Sequence, residues 1–304
     1  MTGRRGGHPV ALKIWVDGKY CDEEDAKVSV FDHGLLYGDG VFEGIRAYHG
    51  KVFRLERHVK RLYDSAKAIL LTIPMKPADL AKQIEDAVKV NKVPNGYIRV
   101  VVTRGKGDLG LDPRKCPKPT VFIIAATIKL YPQELYDHGL AVVTAATPIN
   151  HRENLSPRIK SLNYLSHILA KIEGIQAGVD ETIMLDHEGY VAECTGDNIF
   201  VVDAADARSK GRKVLRTPPA NAGILKGITR DAVIELGLEA GLEVREDPLT
   251  RYDLFVAEEV FLTGTAAEII SVVKVDGRPI GVGKPGPVTA DLLRRFRALT
   301  ERGG

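Results

Sequence analysis

The chain has 304 residues, of which 44% are hydrophobic, and a formal net charge of +3. It is therefore long enough to bury a sizeable core, and its charge does not indicate a nucleic-acid surface. Its three cysteines form no CxxC pair, which argues against a disulfide framework and against a zinc site. Lys13 and Asp17 interrupt the one apolar stretch near the N-terminus, and the apolar run 121–128 is too short to cross a bilayer. We expect a soluble, cytoplasmic protein that binds no metal and no membrane.

The first half of the chain alternates predicted strands and helices. The Asp17-Gly18 pair is typical of a tight hairpin turn, and apolar residues at three- and four-residue spacing predict the first long helix. The predicted elements are a hairpin that begins with residues 13–20, a strand over 41–48, helices over about 54–71 and 77–91, and buried strands over 96–104 and 120–127. A Gly- and Pro-rich loop separates the last two strands, which we expect to pair with each other.

The second half contains further short strands between helices. A polar stretch that begins at Pro132 and ends near Gly139 is typical of a linker. The predicted elements are strands over 140–145, 259–262 and 270–275, a hairpin over 182–203, and helices over about 161–177, over 229–241 and from about 288 onward. The mixture of elements predicts an α+β fold class.

Lys160 lies at the start of the helix predicted over 161–177, and Tyr164 would share its face if the helix begins there. A lysine that forms a Schiff base must be held rigidly and partly desolvated, because its amine is needed neutral. The same pattern is typical of a surface lysine beside a core helix, so both interpretations stay open at this point. The predicted core face of the helix consists of Leu162, Leu165, Leu169 and Ile172.

Three further segments have residue types that suit a cofactor. Glu193 lies in an apolar context before a polar turn, where a carboxylate could keep the pyridine nitrogen of pyridoxal 5′-phosphate (PLP) protonated. The segment 225–230 opens a helix whose free N–H groups favour a phosphate, and 262–268 is a turn of small residues with exposed amides. A solvated strand-end glutamate and ordinary helix capping are the alternative explanations.

Six segments resemble, in order, motifs of the branched-chain amino acid aminotransferases, which belong to the fold-type IV group of PLP enzymes. They are 37–46 (YGDGVFEGIR), 97–99 (YIR), 160–165 (KSLNYL), Glu193 with 197–200 (DNIF), 227–230 (GITR) and 264–268 (GTAAE). The similarity extends from about residue 14 to residue 296. It implies a small N-terminal domain over 1–130, an interdomain loop over 131–140 and a large PLP-binding domain with a β-barrel-like core over 141–304.

The resemblance also implies the roles of the cofactor-binding residues. Lys160 would bind PLP covalently and then move the Cα proton of the substrate to the cofactor. Glu193 would pair with the pyridine nitrogen, and Tyr164 with the phenolic oxygen. Arg61 lies off the apolar stripe of its helix and would otherwise be interpreted as an exposed arginine. The phosphate would be bound by Arg61 and by main-chain amides near Ile228, Thr229 and Thr265.

The substrate pocket that the resemblance implies must accept aliphatic side chains and also glutamate. Tyr37 and Phe42 would form an apolar wall. Tyr97 and Arg99 alternate onto one side of their strand, and Arg99 would receive the distal carboxylate of glutamate. The main chain of Thr265 and Ala266, together with Tyr97, would bind the α-carboxylate.

Two loops complete the pocket in relatives of this kind. In those relatives the loop equivalent to residues 104–111, which contain Leu109, reaches into the pocket of the neighbouring subunit, so the resemblance implies a homodimer as the smallest working unit. The Tyr131 region resembles the interdomain loop that covers the substrate. Residues before about Ala11 exceed the motif region and are assigned no role.

The function implied is a ping-pong transamination between L-leucine, L-isoleucine or L-valine and 2-oxoglutarate. The same fold also carries D-amino acid and (R)-amine transaminases and aminodeoxychorismate lyase, which are the alternatives. A non-catalytic binding protein that has kept the fold is a further alternative. The sequence does not indicate which of the three branched-chain amino acids is preferred.

Overall fold

The computed structural model describes residues 12–128 and 131–303, so the N-terminal residues to which no role was assigned lie outside the described part. Within it the chain forms two compact units. The first comprises residues 12–128 and 160–163, and the second comprises 131–159 and 164–302. The division into domains over 1–130 and 141–304 stays a prediction.

The first unit is built on a six-stranded antiparallel sheet with the strand order β2-β1-β6-β5-β3-β4. The predicted Asp17-Gly18 turn joins β1 to β2, and β5 pairs with β6 as expected. The elements are β1 (Lys13–Val16), β2 (Lys19–Asp22), α1 (His33–Tyr37), β3 (Gly40–Tyr48), β4 (Lys51–Val52), α2 (Leu55–Ala68), α3 (Pro77–Val90), β5 (Tyr97–Thr103) and β6 (Thr120–Ala126).

Helices α2 and α3 cover one face of this sheet. Helix α2 packs on β3 and α3 packs on β6, with one apolar face of each helix buried. Every residue of β3 is buried, although β3 includes Glu43 and Arg46. Charged side chains inside a strand of this kind need partners, because burying an unpaired charge is costly.

The second unit is built on a nine-stranded mixed sheet with the order β12-β11-β10-β13-β14-β7-β8-β9, to which β15 is added beside β14. The last strand, β9, lies against β10, so the sheet curls around an apolar core, as the predicted barrel-like domain requires. The elements are α4 (Gln133–His138), β7 (Leu140–Thr144), α5 (Leu165–Gln176), β8 (Glu181–Leu185), β9 (Val191–Cys194), β10 (Asn198–Asp203), β11 (Val214–Thr217), α6 (Ile228–Glu239), β12 (Glu243–Glu246), α7 (Arg251–Val256), β13 (Glu259–Gly264), β14 (Glu268–Val275), β15 (Arg278–Pro279) and α8 (Pro287–Arg302).

Helix α5 differs from its prediction in two ways. It begins at Leu165, so the proposal that Lys160 and Tyr164 share a helix face is wrong. The predicted core face is also wrong, because Leu165, Leu169 and Ile172 are between 43% and 67% exposed. Apolar periodicity locates the apolar face of a helix, but it does not show whether the same chain covers that face.

The segment predicted to link the two domains is structured. Helix α4 lies within it, and Tyr131, Leu135 and Tyr136 pack against the apolar core of the second unit. The Tyr136 hydroxyl also donates a hydrogen bond to the main-chain oxygen of Ala267. In the described ranges, no helix combines the length and the apolar character needed to cross a membrane. Cytoplasmic location stays a prediction.

Candidate active site

Lys160 lies in a short extended segment that is attached to β3. The main-chain N–H of Phe42 donates to the oxygen of Lys160 at 2.9 Å, and the N–H of Leu162 donates to the oxygen of Gly40 at 3.0 Å. The N–H of Lys160 donates to Ser65 Oγ at 3.2 Å. Main-chain pairing with a buried strand therefore holds this lysine, which meets the requirement for a rigid Schiff-base residue.

The ring of Phe42 is the centre of a group of predicted site residues. Lys160 Nζ lies 4.6 Å from its centroid and the guanidinium carbon of Arg99 lies 4.5 Å from it. Arg99 Nη2 donates to the Tyr97 hydroxyl at 2.9 Å, which confirms that these two side chains share one side of β5. Gly44 faces them, and a Cβ at this position would overlap with the Tyr97 hydroxyl. Glycine is therefore required there to make room for the phenol.

Arg61 is held by Glu43, a buried carboxylate for which no role was predicted. Its Nε and Nη2 donate to the two oxygens of Glu43 at 2.7 and 2.8 Å, and His58 Nδ1 lies 2.8 Å from Glu43 Oε2. The Arg61 side chain is only 13% exposed, so its interpretation as a solvated arginine is wrong. A bidentate pair of this kind fixes the plane of the guanidinium as well as its position.

The charges in this group follow from burial and from the partners. Burial alone would raise the pKa of Glu43, but the Arg61 and His58 neighbours outweigh it and lower that pKa to about 2. Burial lowers the pKa of His58, and the positive charges of Arg61 and Lys160 lower it further against the opposing effect of Glu43. An ionised Glu43 therefore accepts hydrogen bonds from a charged Arg61 and a neutral His58.

Tyr37 and Leu109 form a second group of predicted substrate-binding residues. The Tyr37 hydroxyl donates to the main-chain oxygen of Leu109 at 2.5 Å, and His33 Nε2 lies 2.7 Å from the oxygen of Asp108. Helix α1 is thereby attached to the loop that follows β5. Tyr37 is 37% exposed and Leu109 is 68% exposed, so the group presents apolar surface to its surroundings.

In the second unit Glu193 is a buried carboxylate with one oxygen satisfied. Its Oε2 accepts hydrogen bonds from Asn198 Nδ2 at 3.0 Å and from the N–H of Leu225 at 2.9 Å. Its Oε1 accepts none within residues 12–128 and 131–303, and the nearest cationic or imidazole nitrogen is His167 Nε2 at 3.9 Å. Glu193 is only 6% exposed, so its interpretation as a solvated strand-end residue is wrong.

Asn198 connects Glu193 to the segment that opens α6 and to the end of β13. Besides Glu193, its Nδ2 donates to the main-chain oxygen of Leu225 at 2.9 Å, and Asn198 pairs with Thr263 across the sheet. A Cβ on Gly227 would overlap with Asn198 Oδ1, so this close approach requires glycine. Asn198 belongs to the 197–200 segment, and no role was predicted for it.

The start of α6 has the properties of an anion site. The residues Ile228 and Thr229 are buried, and no side chain in the described part of the chain caps this helix. Helix α6 packs against β13, which leads into the turn that contains Thr265 and Ala266. The Thr263 hydroxyl on β13 is buried and has no hydrogen-bond partner among the described residues. Free N–H groups and an unsatisfied hydroxyl suit a phosphate.

Two predicted tyrosines also lie in the second unit. Tyr164 stacks on His167, with ring centroids 4.6 Å apart and an interplanar angle of 26°. Burial raises the pKa of Tyr131, and the carboxylates of Asp197 and Glu181 raise it further. Tyr131 is therefore a neutral phenol that lies close to Asp197, in the bend that follows β9.

Comparison with known proteins identifies the family. The model of the class IV aminotransferases matches residues 40–275. A Methanocaldococcus jannaschii protein described as a branched-chain-amino-acid aminotransferase is 51% identical over 293 residues, which cover 96% of this chain and 98% of that protein. The chain belongs to the class IV aminotransferases, among the branched-chain amino acid enzymes.

Solved structures agree with this assignment. The Escherichia coli branched-chain amino acid aminotransferase has a TM-score of 0.90 and 37% identity, covering 96% of this chain and 95% of that one. The Thermobaculum terrenum branched-chain amino acid aminotransferase, solved in its PLP form, has a TM-score of 0.84 and 30% identity, with 97% and 95% covered. The prediction of fold type IV is confirmed.

PLP is the cofactor of this class, and groups in each unit fit its chemistry. Glu193 Oε1 is an open acceptor for a protonated ring nitrogen. The uncapped start of α6 and the unsatisfied Thr263 hydroxyl suit the phosphate. In the first unit, Lys160 is held by main-chain hydrogen bonds and Arg61 is oriented by Glu43. The donor set therefore agrees with the predicted cofactor.

We expect Glu43→Gln to lower the free energy of unfolding by about 3–5 kcal/mol at neutral pH, because it removes one partner of a buried ion pair. The folded-state pKa of Glu43, about 2, lies below its ordinary value of 4.5, so the stabilisation is fully present above that ordinary value and is lost as the pH falls towards 2. Denaturant unfolding curves at several pH values measure the difference. Glu56→Gln, which alters an exposed glutamate on α2, is the control. Equal stability of wild type and Glu43→Gln at neutral pH would contradict this explanation.

Proposed function

We propose that this protein exchanges the amino group between L-branched-chain amino acids and 2-oxoglutarate by a ping-pong reaction. The observation that carries the proposal is the group around Phe42, where the Lys160 amine and the Arg99 guanidinium lie close to one aromatic ring. The ring suits an aliphatic side chain, whereas the guanidinium suits the distal carboxylate of glutamate. A pocket with both features serves the two substrates in turn.

Lys160 is proposed as the residue that binds PLP covalently. PLP, when bound, supplies an electron sink that stabilises negative charge at the substrate Cα. The Lys160 amine would accept the proton from the substrate Cα. Glu193 Oε1 would accept a hydrogen bond from the protonated ring nitrogen, and Tyr164 would contact the phenolic oxygen. This division of roles is supported by the open oxygen of Glu193 and by the rigid attachment of Lys160 to β3.

The remaining roles concern binding and orientation. Arg61, whose guanidinium plane is set by Glu43, would contact the phosphate. Tyr97 would help to bind the α-carboxylate, and Tyr131 would cover the substrate as a neutral phenol. The phosphate amides are proposed at Ile228, Thr229 and Thr265, and the main-chain groups for the α-carboxylate at Thr265 and Ala266.

A homodimer is proposed as the smallest working unit, with the loop that contains Leu109 contributed by the partner. Large exposed apolar patches on a folded chain are typical of association surfaces. Leu109 and Leu111 are 68% and 78% exposed. Helix α5 adds a continuous exposed apolar face that consists of Leu165, Ile168, Leu169, Ile172 and Ile175.

The double change Leu169→Glu and Ile172→Glu is expected to convert the dimer to monomers, because it would bury two charges in each copy of the interface. Sedimentation velocity at micromolar concentration measures the mass. Leu238→Glu, which alters an exposed leucine on α6, is the matched control and should leave the mass unchanged. A monomeric wild type would contradict the dimer, and a dimeric double variant would exclude α5 from the interface.

Lys160→Ala is expected to abolish the visible absorption band of bound PLP and to lower turnover by about a thousandfold or more. The covalent link and the proton carrier are lost together, whereas the phosphate contacts remain. Absorption spectra and initial rates with L-leucine and 2-oxoglutarate provide the measurement. Lys67→Ala, which alters an exposed lysine on α2, is the control. Retention of the band and of turnover by Lys160→Ala would end the proposal.

Arg99→Met is expected to lower kcat/KM for glutamate and 2-oxoglutarate by about 10–100-fold, because it removes a charge-assisted hydrogen bond to the distal carboxylate. The value for leucine should change by less than about threefold, since an aliphatic side chain makes no such bond. Arg99→Lys keeps the charge and should restore part of the loss. Initial rates with both substrates varied should also give the parallel double-reciprocal lines of a ping-pong reaction. Equal losses for leucine and glutamate would show that Arg99 does not bind the distal carboxylate.

A further inference from the structure

His167 has a position that neither helix formation nor packing of α5 explains. It lies in the first turn of α5 and is 8% exposed, and the other buried residues of this helix are Ala170 and Gly174. It is thus the one large side chain on the buried face of the helix, every residue of which is described. An imidazole buried there costs more than an aliphatic side chain would, because its nitrogens lose water.

The imidazole of His167 contacts Tyr164 and faces Glu193. Its ring stacks on Tyr164 at 4.6 Å, and its Nε2 lies 3.9 Å from Glu193 Oε1. Its Nδ1 lies 3.3 Å from Ser166 Oγ. The distance to Oε1 is too long for a hydrogen bond, so the imidazole restricts the space around this oxygen without using it as an acceptor.

Tyr164 directly precedes the helix that carries His167. It is the N-cap residue of α5, with φ −101° and ψ 13°, and its side chain makes no capping hydrogen bond. The stack on His167 therefore limits the rotation of the Tyr164 ring. A stacked aromatic pair contributes more than the burial of its area alone.

We propose that His167 is a positioning residue of the PLP site, which fixes the Tyr164 ring by stacking and keeps Glu193 Oε1 open for the ring nitrogen. The inference rests on the proposed function, which assigns Tyr164 to the phenolic oxygen and Glu193 to the nitrogen. The two contacts with the cofactor ring then depend on one imidazole. A change at His167 should consequently alter both the affinity for PLP and the absorption spectrum of the bound cofactor.

Two variants separate the ring of His167 from its nitrogens. His167→Gln removes the stacked ring and should weaken PLP binding by about tenfold, whereas His167→Phe keeps the ring and should weaken it by less than about threefold. Removal of Nε2 in His167→Phe should still shift the absorption maximum of bound PLP. Equilibrium dialysis of the apoprotein against PLP gives the dissociation constants, and thermal unfolding of the apoprotein reports on general stability. His187→Asn, at an exposed histidine of the second unit, is the control.

A background variant tests whether His167 acts through Tyr164. In Tyr164→Leu the stacked partner is absent, so adding His167→Gln should weaken PLP binding by less than about twofold. A general packing defect would instead repeat the roughly tenfold loss in this background.

Histidine-selective NMR of the wild type gives a measurement that does not depend on folding of the variants: PLP should move the His167 signal and leave the His187 signal in place.

The possible failures are distinguishable. Wild-type PLP binding that requires Lys160, combined with unchanged affinity and spectrum in both His167 variants, would overturn the inference alone. An unmoved His167 signal, or a tenfold loss from His167→Gln in the Tyr164→Leu background, would do the same. Absence of PLP binding by the wild type, or a visible band that survives Lys160→Ala, would overturn the proposed function and the inference together.

Discussion

Glu193 is a buried carboxylate with one oxygen satisfied and one open, and the arrangement of the second unit depends on it. A carboxylate is stable in such a position only if hydrogen bonds replace the water it has lost. Asn198 and the main-chain N–H of Leu225 provide two of them, both to Oε2. The open Oε1 then selects for a ligand that brings its own proton donor, and a protonated pyridine ring is such a ligand.

The same constraint places the elements proposed for the phosphate near this carboxylate. Asn198 contacts Leu225 and Gly227 at the start of α6 and pairs with Thr263 on β13. One buried amide therefore holds the acceptor for the ring nitrogen and the start of the helix whose amides are proposed for the phosphate. In the first unit Glu43 has a comparable role, because it orients Arg61 and lies beside His58, whose pKa is in turn affected by Lys160.

Local sequence patterns predicted most elements but not their partners. The Asp17-Gly18 turn, the β5–β6 pair and helices α2 and α3 follow from turn chemistry and apolar spacing, and the structure confirms them. The predicted start of α5 was wrong because residues 160–162 pair with β3 and so cannot be helical. That pairing joins segments more than a hundred positions apart, and local apolar periodicity carries no signal for it. The apolar face of α5 was assigned to the core for the same reason.

The site could be predicted only where residue motifs identified it. Lys160, Glu193, Tyr97 and Arg99 were selected by resemblance, and the structure supplied what holds them. Glu43, Asn198 and His167 were assigned no role, because a buried partner is recognised from contacts between distant segments. Glu43 did carry one signal, since a glutamate between Phe42 and Ile45 in a strand of mostly apolar residues needs a cationic partner.

The protonation state of the ring nitrogen of PLP tests the role of Glu193 most directly. PLP labelled with ¹⁵N at that position can be bound to the wild type and to Glu193→Gln, and the ¹⁵N chemical shift then measured at neutral pH. We expect the shift of a protonated nitrogen in the wild type and that of an unprotonated nitrogen in the variant. An unprotonated nitrogen in the wild type, or a protonated nitrogen in both proteins, would contradict the role of the buried carboxylate.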